Sequence, residues 1–292
     1  MLYTIENEQI RVQVASRGAE LQSIVLKSDG TEYLWQGDAK YWGDRALNLF
    51  PICGRLWEGK YTYRGRTYEM NIHGFAWTAE LPVVKQEQDR ISFRLVPDEA
   101  ILAQYPFRFV LTITHTLVGA SVMTSLHVEN CGEQEMIFAV GAHPGFNVPL
   151  GGEGKFDDWY LEFEQPAKAM SIVMSPACFL TEDAEPLPLE DGKILRLRHD
   201  LFDNDALVLS DVCRAVTLKS AVSGRQVRME YPQMGFLGIW HAPRTDAPYV
   251  CIEPWSGLPS YDGRVDDLES KRDMIRLPEG ETYENTYVIT VR

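Results

Sequence analysis

The chain has 292 residues, 45% of them hydrophobic and 24% charged, which fits a folded protein with a substantial core and excludes a disordered one. Its formal net charge of -14 sets it against nucleic-acid phosphates and anionic lipid surfaces, so neither is expected as a partner. Five widely spaced cysteines (Cys53, Cys131, Cys178, Cys213 and Cys251) form no metal-binding or redox pattern and are expected as free thiols in a reducing compartment. With no basic-then-apolar leader at Met1 and no 18-residue apolar run, a cytoplasmic location is expected.

In chain order, period-two alternation dominates. Ile10, Val12 and Val14 alternate with polar residues, as do Ile91, Phe93 and Leu95. Phe109, Leu111, Ile113 and Leu117 share one parity; Val122, Leu126 and Val128 repeat it after Gly119-Ala120-Ser121, which predicts a long hairpin. Trp159–Phe163 and Tyr287, Ile289 and Val291 continue the pattern, with turns at Asp29-Gly30, Arg64-Gly65, Asp191-Gly192 and Ser223-Gly224. Helices are few. Residues 97–105 predict two turns between Pro97 and Pro106, and 266–272 predict another short helix. The Gly- and acid-rich segment 149–158 reads as an excursion within one domain spanning 1–292. Many short strands with turn chemistry between them predict an all-β, large antiparallel β-sandwich.

Three stretches break the alternation and do not read as strands: Asn48–Arg55 followed by Ile72–Ala76, Gly141–Asn147, and Cys251–Gly257. Each sets a polar or ionisable residue among Gly, Pro and aromatics, a setting in which a pKa can be tuned. Glu253 follows Tyr249-Val250-Cys251-Ile252, which reads as an apolar strand, and precedes Pro254-Trp255; a glutamate at the end of a buried strand is expensive unless it is paired or working. His143 sits between Ala142 and Pro144, and His73 precedes Gly74. His115, His127 and His199 read as structural or surface histidines, and His241 is left open.

These stretches, in this order and spacing, resemble the aldose 1-epimerase (galactose mutarotase) family, closest to its LacX-like branch. Arg17-Gly18-Ala19-Glu20-Leu21 near the start and Leu277-Pro278-Glu279-Gly280-Glu281 before the last strand extend the likeness over nearly the whole chain. The resemblance implies the family's large β-sandwich and a cofactor-independent isomerase that interconverts the α and β anomers of a hexose. It implies Glu253 as general base and His143 as general acid. It places His73, Arg55, Asn48 and an aspartate (Asp205, with Asp203 as the alternative) around the sugar. Trp255, Trp240 or Phe75 would stack on it. His143-Pro144-Gly145 departs from the tripeptide of common galactose mutarotases, which bears on the sugar preferred.

The chemistry fits those residue types. Opening a hemiacetal removes a proton from the anomeric hydroxyl and gives one to the ring oxygen, and positioned acid and base groups avoid both the alkoxide and the oxonium. No redox change, hydrolysis or group transfer occurs, so no cofactor is called for. Three other readings stand beside this one. The first is a hexose 6-phosphate as substrate, held by cations drawn from Arg45, Arg55, Lys60 and Arg64. The second is a non-catalytic sugar-binding or sensor protein, and the third a metal held by His73, His143 and Glu253. The partner expected is a small sugar, free or phosphorylated, and the protein itself a monomer or homodimer.

Overall fold

A computed structural model describes residues 1–292 and shows a β-sandwich built on two large antiparallel sheets. The first has nine strands, in the order Ile194–Arg196, Trp159–Phe163, Ala215–Ser220, Val227–Glu230, Thr282–Val291, Ser121–Asn130, Phe109–Val118, Arg90–Leu95, Val83–Gln86. Within it lies the hairpin predicted from parity. Val122 pairs with Leu117, Leu126 with Ile113 and Val128 with Leu111, across the turn at Gly119-Ala120. One face of that hairpin is buried and the other is partly open, which is why its sequence alternates. His115 lies on the buried face, between Thr124 Oγ1 (2.9 Å) and the carbonyl of Ala19 (2.8 Å), as a structural histidine.

The second sheet has seven strands, in the order Leu180–Pro186, Met170–Met174, Leu207–Ser210, Phe236–Trp240, Tyr249–Trp255, Gly141–Asn147, Ala46–Leu49. Of the three stretches expected not to be strands, Asn48-Leu49, all of Gly141–Asn147 and Cys251–Trp255 lie in strands of this sheet, while Phe50–Arg55 and Ile72–Ala76 form none. Every residue of Ala46–Leu49 and Tyr249–Trp255 is buried, and all but the last of Gly141–Asn147. A strand covered on both faces has no polar side to alternate with, so period two vanishes although the strand does not. A cluster of 65 buried hydrophobic residues draws on both sheets and on the N-terminal three-stranded sheet Leu2–Glu6, Ile10–Ala15, Leu21–Leu26. Glu20, at the end of that small sheet, accepts the N–H groups of Arg45 (2.7 Å) and Ala46 (2.9 Å) and so fastens the start of the Ala46–Leu49 strand.

The helix expected at 97–105 is shorter, Glu99–Gln104. Asp98 caps it by accepting the Ile101 N–H, which leaves Pro97 outside. No helix forms over 266–272. Asp266–Asp267 pair in parallel with Tyr61 and Thr62, and the buried Asp266 carboxylate takes Ser260 Oγ (2.6 Å) and Lys271 Nζ (2.7 Å). Asp267 then turns the chain by accepting the Glu269 N–H, a side-chain bond that competes with a helical turn. Segment 149–158 forms two single 3₁₀ turns that bury Leu150 and Phe156, and Glu153 clasps Arg225 and Ser223. All five cysteines are free, as expected. No helix is long and apolar enough to cross a membrane.

Candidate active site

Two adjacent strands of the seven-stranded sheet, Tyr249–Trp255 and Gly141–Asn147, assemble the site. Gly141 pairs with Trp255 and Gly145 with Cys251, a register that sets His143 directly opposite Glu253. The ends are locked reciprocally: Ser256 N–H donates to the Val140 carbonyl and Val140 N–H to Ser256 Oγ. Between those two pairs each strand carries a proline, Pro144 and Pro254, and therefore lacks an N–H there. On the other side of the Glu253 strand lies Gly238. A Cβ there would come within 3.2 Å of Glu253 Cβ and 3.3 Å of the Trp255 ring, so the missing side chain keeps room beside the carboxylate.

His143 Nε2 lies 3.2 Å from Glu253 Oε2, with the residues 7% and 1% exposed. The contact has the length of an ion pair, but burial opposes both charges. It pushes the Glu253 carboxyl well above the usual carboxylate range, with the Asp205 charge adding to the effect. It lowers His143 to about 4, against the opposing pull of Asp205. The arrangement that burial favours is a protonated carboxyl donating to a neutral imidazole, one proton shared by a pair that titrates as a unit. Glu253 Oε1, His143 Nδ1 and the Trp255 indole N–H are buried without a hydrogen-bond partner. Such atoms are costly to leave unpaired, and three of them around one cavity mark where a polar ligand fits.

That cavity has a volume of about 270 Å³. His73 enters it from a left-handed backbone (φ 62°), followed by Gly74 (φ 77°), where a Cβ would lie 2.3 Å from the Phe50 carbonyl. Gly54 N–H donates to His73 Nδ1 (3.1 Å), so the neutral ring carries its proton on Nε2, a donor for the cavity. Burial, and then His143, hold His73 well below the ordinary histidine range. Asp205 (φ 77°) accepts the Trp240 indole N–H at 2.6 Å and lies 3.8 Å from Arg55 Nη2. Its neighbour Asp203 is exposed and lines a different surface depression, so Asp205 is the one of the two that faces the site.

The structure thus brings together Glu253, His143, His73, Arg55, Asp205 and Trp255, with Trp240 beside them. It does not bring Asn48. The flanking Leu47 and Leu49 pack with Trp255, while the intervening Asn48 side chain turns the other way. There it donates to the carbonyls of Gly18 and Ala19 and accepts from Tyr287 Oη. Phe75 is likewise absent from the cavity, packed in the core against Phe50 and Phe109. Sequence reasoning missed Trp42, whose ring stacks on His143 at 4.8 Å and 30°, as well as Trp77, Asp44 and Cys178. The Tyr41-Trp42-Gly43-Asp44 run carried a signal, aromatics beside Gly and an acid, of the kind that singled out the other stretches. The metal set His73, His143, Glu253 is not the one the fold assembles: the atoms brought within 4.8 Å of one another belong to His143, Cys251 and Glu253.

The sheets, their order and the cavity lined by His143 and Glu253 define a galactose mutarotase-like β-sandwich. Within that class the chain belongs to the aldose 1-epimerase family, whose model matches residues 1–290. Protein LacX (plasmid) of Lactococcus lactis subsp. lactis is 34% identical over 300 residues, covering 100% of this chain and 99% of that protein. A galactose mutarotase related enzyme from Lactobacillus acidophilus superposes with a TM-score of 0.94 at 33% identity, covering 100% of this chain and 97% of its own. A galactose mutarotase-like protein from Lactobacillus casei ATCC 334 gives 0.93 at 30% identity, with 100% of both chains covered. Family and neighbours support a mutarotase-type function with a sugar as the small-molecule partner.

Proposed function

We propose that the chain interconverts the anomers of an unphosphorylated aldohexose, with Glu253 and His143 as the proton-transferring pair. The observation that carries this reading is the 3.2 Å approach of His143 Nε2 to Glu253 Oε2, both buried, at the wall of a cavity ringed by hydroxyl-binding groups. The pair holds the proton inventory that ring opening requires. With the proton on His143, the carboxylate takes the anomeric hydroxyl's proton while the imidazolium gives its own to the ring oxygen. The bond from C1 to the ring oxygen breaks and the carbonyl forms. That leaves a protonated carboxyl and a neutral imidazole, the arrangement burial favours. Rotation about C1–C2 and the reverse transfers close the other anomer. A sugar bridging the two groups favours the ionic starting arrangement, because its hydroxyl donates to the carboxylate and its ring oxygen accepts from the imidazolium.

The cavity's charge supports a neutral sugar. Arg55 is the one cation among its lining residues, against Asp44, Asp205 and Glu253. The other cations considered for a phosphate are engaged elsewhere. Arg45 binds Gln22 Oε1 and the Gln36 carbonyl, Lys60 pairs with Glu58, and Arg64 lies over the Tyr63 ring. A phosphate dianion entering this cavity meets three carboxyl groups and one guanidinium. His73, Arg55 and Asp205 supply hydroxyl partners, and Trp255, Trp240 and Trp42 supply flat faces. One-dimensional NMR exchange on glucose, galactose and glucose 6-phosphate tests the reading. Enzyme-dependent exchange of the free sugars at a rate well above that of the phosphate is expected. Binding without exchange, or faster exchange of the phosphate, refutes it.

A further inference from the structure

Cys251 takes no part in the chemistry above, yet it lies on the same face of the same strand as Glu253, two residues away, opposite Gly145. Gly145 carries no side chain, and a Cβ there would meet Trp42 at 3.1 Å, Trp35 at 3.3 Å and the thiol sulfur at 3.4 Å, so Cys251 is packed under aromatic rings and does not itself line the cavity. The Cys251 Sγ, a His143 ring nitrogen and a Glu253 carboxylate oxygen all fall within 4.8 Å of one another. From this geometry we infer that the buried cluster of His143, Cys251 and Glu253, two of whose members line the cavity, is a binding site for a thiophilic divalent cation such as Zn²⁺ or Cd²⁺.

Three observations carry it. The first is the donor set. A thiolate, an imidazole and a carboxylate on two adjacent rigid strands select zinc-like ions and discriminate against magnesium and calcium, which prefer oxygen alone. The second is the pair of unpartnered atoms, Glu253 Oε1 and His143 Nδ1, in side chains more than nine-tenths buried at the cavity. The third is charge. A divalent ion, one thiolate, one carboxylate and a neutral imidazole sum to zero, so the filled centre buries no net charge. Binding expels the thiol and carboxyl protons into solution. The carboxylates Asp44 and Asp205 on the cavity wall draw a cation inward. Ligand atoms around a tetrahedral zinc stand roughly 3.3–3.8 Å apart, which follows from bond lengths of about 2.0–2.3 Å. The three side chains need only close by about 1 Å.

A bound ion occupies the two groups that serve as acid and base, so it excludes the sugar. This inhibitory consequence rests on the proposed mutarotation, whereas the metal site itself rests on geometry alone. The test is titration of the whole chain with cadmium, read by the ultraviolet cadmium–thiolate charge-transfer band. One equivalent of band is expected in the parent chain, lost in Cys251→Ser while the other four cysteines remain, and unaffected by excess magnesium. His143→Gln, which keeps the thiol, weakens cadmium binding by at least ~10–100-fold, the range by which even outer partners tune metal affinity. Equal band amplitude in Cys251→Ser, or undiminished affinity in His143→Gln, overturns the site. In parallel, zinc is expected to inhibit anomer exchange competitively with aldose, with the inhibition constant compared with each variant's own uninhibited rate. A chain that binds cadmium as described but exchanges no anomers refutes the mutarotase reading and leaves the metal site standing.

Discussion

Replacing Glu253 by Gln removes the proposed base while keeping shape. The parent carboxyl is 1% exposed, with Oε2 at 3.2 Å from His143 and Oε1 unpartnered, so the amide occupies the same volume without displacing the Trp255 or Gly238 contacts. Loss of one positioned acid–base group costs about 10²–10⁴-fold in rate, or about 2.7–5.4 kcal/mol of transition-state stabilisation. Sugar affinity is expected to change little, because His73, Arg55 and Asp205 are untouched. Stability moves with pH in a defined sense. A carboxyl whose folded pKa is raised binds its proton more tightly when folded, so its contribution is fully present below 4.5 and is lost as pH rises through the folded value. Glu253→Gln lacks that loss, so its stability relative to the parent improves as pH rises above 4.5. Polarimetry on freshly dissolved α-glucose or α-galactose reads the rate, calorimetry the binding, and urea unfolding at several pH values the stability. Turnover within threefold of the parent refutes the assignment of Glu253. A fall in rate that tracks an equal fall in affinity refutes its role as base.

Asp205→Asn removes the charge facing Arg55 and weakens the acceptor for the Trp240 indole. Loss of a charged hydrogen bond of about 1.5–3 kcal/mol raises KM by roughly 10–150-fold, and because Asp205 raises the pKa of both Glu253 and His143, both limbs of the pH–rate profile move to lower pH. His115→Gln tests the core: burial holds its folded pKa at about 4 against 6.5 when free, so the parent loses about 2 kcal/mol between neutral pH and pH 5 that the variant does not. Parallel stability curves for the two, followed by urea midpoints, argue against that depression. Asn48→Ala is expected to cost about 1–3 kcal/mol of stability through stranded Gly18, Ala19 and Tyr287 partners, with KM unchanged; a raised KM with normal stability returns Asn48 to the sugar site.

Parity in the sequence revealed the hairpin 109–130 and the strand Ile10–Ala15 because one face of each is the more open to solvent. Parity failed at Ala46–Leu49, Gly141–Asn147 and Tyr249–Trp255, where both faces are covered; Tyr249–Ile252 still read as a strand from its unbroken apolar run, whereas Asn48-Leu49 and Gly141–Asn147 read as irregular. Asn48 was placed at the sugar by resemblance alone, and in a strand of four buried residues the sequence does not say which face is which. The site's ionisable residues were legible for the opposite reason: Glu253, His143 and His73 stand out as charged or titratable groups in apolar surroundings. Trp42 was not, because its stacking partner lies about a hundred residues away and only sheet pairing joins them. Asp203 and Asp205 are equivalent as letters. The φ of 77° at Asp205 and its bond to Trp240 separate them.

If His143 and Glu253 are the proton-transfer pair proposed above, placing them on adjacent strands 110 residues apart in sequence makes turnover a late reporter of assembly. No local turn or hairpin brings the imidazole to the carboxylate; a long loop closes first, at an entropic cost that such distant contacts repay last. During refolding, recovery of turnover should therefore lag the return of far-ultraviolet strand signal.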